Sequence, residues 1–427
     1  MSHRSWGLSI VAVLIMLVGM YAVPVVRSVG SGAQWTIMVY LDGDNNLDPD
    51  SVADIAEMET VGSTTNVNVI VLWDRYDQPA YLYKVVDGDV EQLSGMKVYG
   101  NDVNGVEVSM ADWHVLEAFV DYCKDNYQAE HYALDLWDHG NAFGYTCWDD
   151  HAAPGWPSSA RAISLAEVGM ALAGFGTLDI LTYDGCTIGM AEIAYELSLV
   201  PLEKVQIEYL VASEEYIPNS GYAYNKILEK MNDPASDMSA AGVATMLADL
   251  YAECYSPHGQ AKGSSTVGLS VVDLSEFRPF ASALDSLTSL LKTRLSEHRD
   301  YYHDLIAEAR GEGNLGWSLF GWDDRIDMGA FLLTISTHAQ DEEVAKLAGD
   351  ALELLTSAVY VANTPALQSQ SAFGLGVWFP SSYRSIGNAN TGGFGVLVQY
   401  ASAFHFAEDA GWLSFLYAYW GKIPKTK

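Results

Sequence analysis

What most constrains the fold is a repeating rhythm. Short apolar runs rich in β-branched and aromatic residues are closed by turn residues and alternate with stretches of helical period. Residues 34–41, 67–73, 80–86, 134–139, 178–186 and 209–213 read as buried strands. Between them, residues 110–127 place Trp113, Leu116, Phe119, Val120 and Cys123 at helical spacing, which makes Cys123 a core residue. A helix is expected from near Asp50, with Val52, Ile55, Ala56 and Met58 on one side. Another is expected over 163–172, with Ser164 as N-cap and Glu167 completing a capping box, and a third over 189–199. Strands alternating with helices predict βαβ units, a mostly parallel sheet and right-handed crossovers that place helices on both faces.

After about Lys230 the pattern changes. Residues 234–255, 277–299 and 340–361 are helical by period, and 265–274 and 373–380 read as strands. The apolar run from Trp412 to Trp420 is too short to span a bilayer and is expected to pack on the body. At the other end, His3 and Arg4 precede an uncharged run over 5–26 that stops at Arg27, the pattern of an export signal or membrane anchor. The expected organisation is a signal or anchor over 1–33, an α/β core over 34–230 and a mixed, mostly helical C-terminal subdomain over 231–427.

The chain carries 55 acidic against 22 basic residues, a formal charge of −33. That argues against nucleic acid and against an anionic membrane surface, since both need a basic face. The four cysteines, Cys123, Cys147, Cys186 and Cys254, form no C-x-x-C pair, which argues against structural zinc. The acids from Asp42 to Asp48 look like a calcium loop but fail its pattern. Counted from Asp44, the sixth position is Pro49 where glycine is needed and the twelfth is Ile55 where glutamate is needed.

The chemistry concentrates at two strand ends. Leu134-Asp135-Leu136-Trp137-Asp138-His139-Gly140 delivers a histidine beside a glycine, and Leu178 to Cys186, ending Tyr183-Asp184-Gly185-Cys186, delivers a cysteine. Parallel strands present their carboxyl ends on one edge, where active sites gather. A thiolate is the nucleophile, so Cys186 needs a base, and His139 is the candidate. The amides of Gly140 and Cys186 are candidates for an oxyanion hole. The rival nucleophiles Ser213 and Ser220 lack a G-x-S-x-G elbow.

These stretches resemble the clostripain family of cysteine peptidases, within the caspase-like clan. Residues 35–41 followed by Asp44-Asn45-Asn46-Leu47 resemble its opening strand and turn. Leu136-Trp137-Asp138-His139-Gly140 resembles its histidine motif. Tyr183-Asp184-Gly185-Cys186 with Met190 and Glu192 resembles its cysteine motif, with Gly185 in place of the usual alanine. Ala212-Ser213-Glu214-Glu215 with Gly221-Tyr222, and residues 374–380, resemble two later signatures. The resemblance implies a caspase-like α/β/α sandwich and an exported cysteine endopeptidase with a His139–Cys186 dyad. It implies cleavage after arginine or lysine, with Asp184 lining the pocket and Glu214 and Glu215 as further acids. It also implies activation by self-cleavage between the two strands, for which Arg161 is the only Lys or Arg between Lys124 and Lys204. Calcium dependence in the family makes calcium a candidate cofactor, but no ligand set follows. Asp149 and Asp150, or the acids from Asp42 to Asp48, are named only by their clustering. Peptide or protein substrates are the expected partners, with a membrane met only through the N-terminal segment. The alternative is a catalytically silent exported binding protein that keeps the fold.

Overall fold

In the computed structural model the described residues are 32–151, 161–199, 205–261, 266–315, 324–368, 372–383 and 400–422. Residues 1–31, which hold nearly all of the expected signal or anchor, lie outside them. The chain opens with β1 (Ala33–Gly43), α1 (Asp48–Glu59), β2 (Val67–Arg75), β3 (Gln78–Val86), β4 (Asp89–Gln92) and a small hairpin, β5 (Lys97–Val98) and β6 (Asn101–Asp102). Then come α2 (Trp113–Asn126), β7 (Ala129–Trp137), α3 (Leu165–Ala171), β8 (Gly176–Asp184), α4 (Ala191–Leu199) and β9 (Val205–Ala212). The later elements are α5 (Tyr224–Met231), α6 (Ala240–Cys254), β10 (Gly268–Asp273), α7 (Phe277–Glu297), α8 (Arg299–Glu312), β11 (Arg325–Asp327) and α9 (Met328–His338). The chain closes with α10 (Glu342–Ala358), β12 (Val359–Asn363), α11 (Pro365–Gln368), β13 (Gly376–Trp378), α12 (Phe406–Asp409) and α13 (Trp412–Tyr419).

One nine-stranded sheet organises these elements, in the order β12-β10-β9-β8-β7-β1-β2-β3-β4. The run β9-β8-β7-β1-β2 is parallel throughout, and the flanking strands on both sides join it antiparallel. Successive side chains of a strand point to opposite faces, and both faces are covered. Met38, Tyr40, Leu134, Leu136, Leu181 and Tyr183 enter one apolar layer with α2, α3, α4 and α7. Val39, Leu41, Ala133, Trp137, Ile180 and Val211 enter the other, with α1, α5 and α6. This is the expected α/β/α sandwich. The same alternation sends Asp135, Thr182 and Asp184 toward the layer of α1, α5 and α6, a placement that matters below.

Residues 231–427 do not stand apart. Residues 32–427 form one unit, and β10 and β12 extend the central sheet. The helix expected over 340–361 ends at Ala358, and Val359-Tyr360-Val361 pairs with β10 instead, as its β-branched content favours. The expected face of α1 also shifts. Val52 and Ala56 are exposed, while Ser51, Asp54, Ile55 and Met58 are buried. Asp54 is drawn inward because its Oδ2 accepts from Trp137 Nε1 at 2.7 Å. The capping box of α3 forms as expected, with Ser164 Oγ accepting from the Glu167 amide and Glu167 Oε2 accepting from the Ser164 amide. Trp412, Phe415, Leu416 and Tyr419 of α13 are buried against the body.

Candidate active site

The histidine and the cysteine are brought together by register. In the β7–β8 pair, Trp137 stands opposite Asp184, and His139 and Cys186 each follow two residues later on the same sheet edge. The two turns touch closely enough to require glycine. A Cβ on Gly140 would lie 2.6 Å from the Cys186 carbonyl oxygen, and one on Gly185 would lie 2.9 Å from the Asp138 carbonyl oxygen. The smaller residue at 185 thus has a steric cause.

Cys186 and His139 are both half-buried. The Cys186 thiol donates to the Ile217 carbonyl oxygen at 3.6 Å, and no hydrogen bond joins it to His139 among the described residues. Burial pushes the Cys186 thiol above its ordinary value. The Ile217 contact and the positive charge of Arg325 pull it down, and Asp184 and Asp138 push it up. Burial holds His139 below the usual imidazole value, with Asp150 opposing. Both shifts favour the uncharged forms, thiol and neutral imidazole. The amides of Gly140 and Cys186 have no hydrogen-bond partner among the described residues, as an oxyanion hole requires. Helix α4 begins at Ala191, not at Gly189, so its N-terminus stands five residues beyond the sulfur. Thr187 between them has φ 61°, unusual for a β-branched residue, and its amide is held by the Glu215 carbonyl at 2.9 Å.

Asn46 is the first residue whose role the sequence did not disclose. Its Oδ1 lies 3.0 Å from His139 Nε2. An amide oxygen only accepts, so Nε2 carries the hydrogen and Nδ1 keeps the basic lone pair. Its neighbour Asn45 donates to Asp138 Oδ1 at 2.8 Å and to the Trp148 carbonyl at 2.9 Å, tying the turn to the histidine strand. The motif around Asn46 was visible in the sequence, but its contact with His139 spans 93 residues.

Asp184 is 6% exposed. Its Oδ2 accepts from the Tyr222 amide at 2.8 Å and from the Tyr224 hydroxyl at 3.1 Å. Tyr224 also donates to Asp135 Oδ2 at 2.7 Å. Burial first, then the charge of Asp135, push Asp184 up to about 8. Asp135 is pushed to about 7 and Asp54 to about 9, again chiefly by burial. The charges that act most strongly on Asp54 and Asp184 are those of other carboxylates, so the layer beneath the nucleophile strand is an acidic well.

The two glutamates part company. Glu214 Oε1 accepts from the Gly374 amide at 3.1 Å, an amide that also donates to Asp327, the N-cap of α9, at 3.2 Å. It is committed to holding the late segment against β9. Glu215 is buried near Arg325, whose charge opposes the rise to about 7 that burial causes. Arg325 donates to the Glu214 carbonyl at 2.6 Å and stacks over Tyr216 at 5.6 Å. No local pattern could have marked Arg325, since it comes from 139 residues beyond the cysteine. Ser213 is fully buried, with its hydroxyl donating to the Gly268 carbonyl. Arg161 is exposed, but Ala162 and Ile163 after it are buried, and Ile163 exchanges both backbone hydrogen bonds with Thr146.

The sequence profile of the clostripain family matches residues 39–330. Clostripain from Hathewaya histolytica is 29% identical over 294 residues, 59% of this chain and 55% of that protein. The match thus spans about half of the relative's length. A secreted cysteine protease from Bacteroides thetaiotaomicron, solved with an irreversible peptide inhibitor, superposes with a TM-score of 0.62 at 17% identity, covering 89% of this chain and 99% of the other. An inactive zymogen of a protease from Parabacteroides distasonis does so with a TM-score of 0.61 at 18% identity, covering 90% and 99%. At such identities these structures speak for the shared fold.

Proposed function

The chain belongs to the clostripain family, and from that premise we propose that it is a cysteine endopeptidase that cleaves after arginine or lysine. The observation that carries the reading is the register of β7 and β8, which sets His139 and Cys186 two residues past one strand pair. His139 takes the Cys186 proton as the sulfur attacks the scissile carbonyl carbon, and the amides of Gly140 and Cys186 receive the oxyanion. Collapse of the tetrahedral adduct breaks the C–N bond. The departing amine takes the proton from His139, and a thioester remains on Cys186. Water, deprotonated by His139, hydrolyses it and returns the thiol. Asn46 is a positioning residue in this scheme, since it sets which ring nitrogen is the base.

The preference for a basic residue is supported by Asp184, two residues before the nucleophile. A buried carboxylate facing a guanidinium gives a strong, directional pair. Glu215 is the second candidate acid. Glu214 has less claim, because its Oε1 already serves the Gly374 amide beside Asp327. Self-cleavage after Arg161 is supported by exposure of that side chain. It requires the bridge between Thr146 and Ile163 to open, because the residues that follow are packed.

The test is a panel of fluorogenic peptides varied at the residue before the scissile bond, run with wild type, Cys186→Ala and His139→Ala. Arginine and lysine substrates should be cut by wild type alone. Cleavage that survives both substitutions would remove the dyad. Inertness of wild type toward the whole panel would favour the alternative of a silent binding protein. A preference for acidic or apolar residues would keep the dyad and remove the role of Asp184.

A further inference from the structure

Trp148 is an exposed aromatic on a tightly held backbone. It is 38% exposed, while Cys147 before it and Asp149 after it are buried. Single exposed apolar residues are ordinary, but this one is presented at a cost. Cys147 takes φ 54°, a left-handed conformation unfavourable to a residue with a Cβ, and the chain then turns the smaller side chain inward and the indole outward. The turn is fixed on all sides. The Trp148 amide donates to Asp138 Oδ2, and the Trp148 carbonyl accepts from Asn45 Nδ2 at 2.9 Å. The Asp149 amide donates to the Arg161 carbonyl at 3.1 Å, and the Asp150 amide to the Asp44 carbonyl at 2.9 Å. A side chain carried on so constrained a segment is preorganised for a ligand.

The segment stands on the histidine side of the dyad. Asp138 directly precedes His139, and Asn45 directly precedes Asn46, whose Oδ1 meets the His139 ring. In the reaction proposed above, on which this inference rests, His139 hands its proton to the departing amine. The substrate beyond the scissile bond therefore lies toward His139, where Trp148 is held. The charge there is negative. Asp44, Glu107 and Asp149 bring carboxylate oxygens within 4.8 Å of one another, and Asp42 Oδ2, Asp74 Oδ2 and Glu107 Oε1 are buried without a hydrogen-bond partner among the described residues. Asp150 is exposed, and its charge reaches His139. The neighbouring basic groups are engaged, His151 with Asp44 at 2.7 Å and Arg75 with Asp48 at 2.8 and 3.0 Å.

We propose that Trp148 and Asp150 form a subsite for a lysine or arginine side chain directly after the scissile bond. The indole face attracts the cation and covers its aliphatic stem, and Asp150 supplies the opposite charge. An apolar side chain would gain the ring contact alone, and an acidic one would meet repulsion. Together with the acidic well that receives the residue before the bond, this subsite directs the enzyme to pairs of basic residues.

Binding is read without turnover, by fluorescence anisotropy of short labelled peptides with the full chain carrying Cys186→Ala. The peptides carry arginine or alanine before the scissile position and lysine, leucine or glutamate after it. Lysine after the bond should bind about two- to fivefold more tightly than leucine, with glutamate weakest. Trp148→Ala should remove most of the difference between lysine and leucine, Trp148→Phe should keep part of it, and Asp150→Asn should reduce it. The preference for arginine before the bond should survive all three changes, because Asp184 reads it. Leucine binding as tightly as lysine would overturn the proposal, as would a lysine preference undiminished in Trp148→Ala. A ranking set only by the residue after the bond would support this subsite and remove the pocket role of Asp184. Absence of binding by every peptide would overturn both.

Discussion

Asn46 tests the dyad without touching its reacting atoms. Asn46→Ala frees the His139 ring, and kcat should fall by roughly tenfold or more, since positioned proton transfer contributes at least that much. Asn46→Asp keeps the acceptor but adds a charge that favours imidazolium. It should restore part of kcat and move the acid limb of the pH–rate profile upward, toward or past the ordinary imidazole value. In wild type that limb should lie below this value, because burial lowers the His139 pKa. A lost kcat with an unmoved limb in both variants would mean that Asn46 only supports the backbone. The second residue-scale prediction concerns Asp184, which is pushed up to about 8. A guanidinium favours the ionised form, so below that pH each bound arginine must displace a proton. KM for arginine substrates should therefore fall as pH rises toward 8, by at most about tenfold per unit, and level off above. A citrulline substrate should lack this dependence, and Asp184→Asn should abolish it. Parallel pH profiles for the two substrates would count against the pocket role.

At the scale of elements, the main strands were legible because alternation between apolar runs and helical stretches is written locally. The capping box at Ser164 and Glu167 was legible for the same reason. The buried face of α1 was not. Asp54 enters the core only because Trp137, 83 residues away, offers it a donor. The end of α10 was misread because β12 becomes a strand when β10 is there to pair with it. The α3 cap carries a prediction of its own. Ser164→Ala removes a hydrogen bond worth about 1 kcal/mol and loosens the segment just after Arg161. If nicking proceeds from the locally opened state, the cut after Arg161 should accelerate by about fivefold. Timed incubation with sequencing of new N-termini measures it, with Cys186→Ala as the uncut control. An unchanged rate would place the rate-limiting opening elsewhere.

For the whole molecule, the consequence of so many buried acids is a stability that depends on pH. Asp54, Asp184, Asp135 and Glu192 are raised to about 9, 8, 7 and 7, chiefly by burial. In the unfolded chain such groups ionise near their ordinary values of about 4. Between those limits the folded state holds protons that the unfolded state has released. Folding stability therefore falls as pH rises through this window. Melting temperatures should be highest near pH 5 and decline steadily to about pH 9. A maximum above pH 8 would show that the acidic well is ionised and compensated in a way these contacts do not provide.

The sequence by itself marked His139 and Cys186 as the candidate pair, the glycines around them and the rhythm of the α/β core, because each depends on neighbours within a few residues. Folding decided what acts on that dyad. Asn46 reaches His139, Arg325 reaches the field of Cys186, and Asp74 and Glu107 reach Asp44 and Asp149 only when β1, β2, β7, β8 and β11 are assembled. Charge and hydrogen bonding act through space at a few ångströms, and a sequence does not show which distant residues will be that close. For the same reason the acids of this chain looked alike as sequence. Packing separated them into an acidic well beneath Cys186, a pair of acids, Glu214 and Asp327, on the Gly374 amide, and a cluster at the strand ends whose buried oxygens lack a hydrogen-bond partner among the described residues.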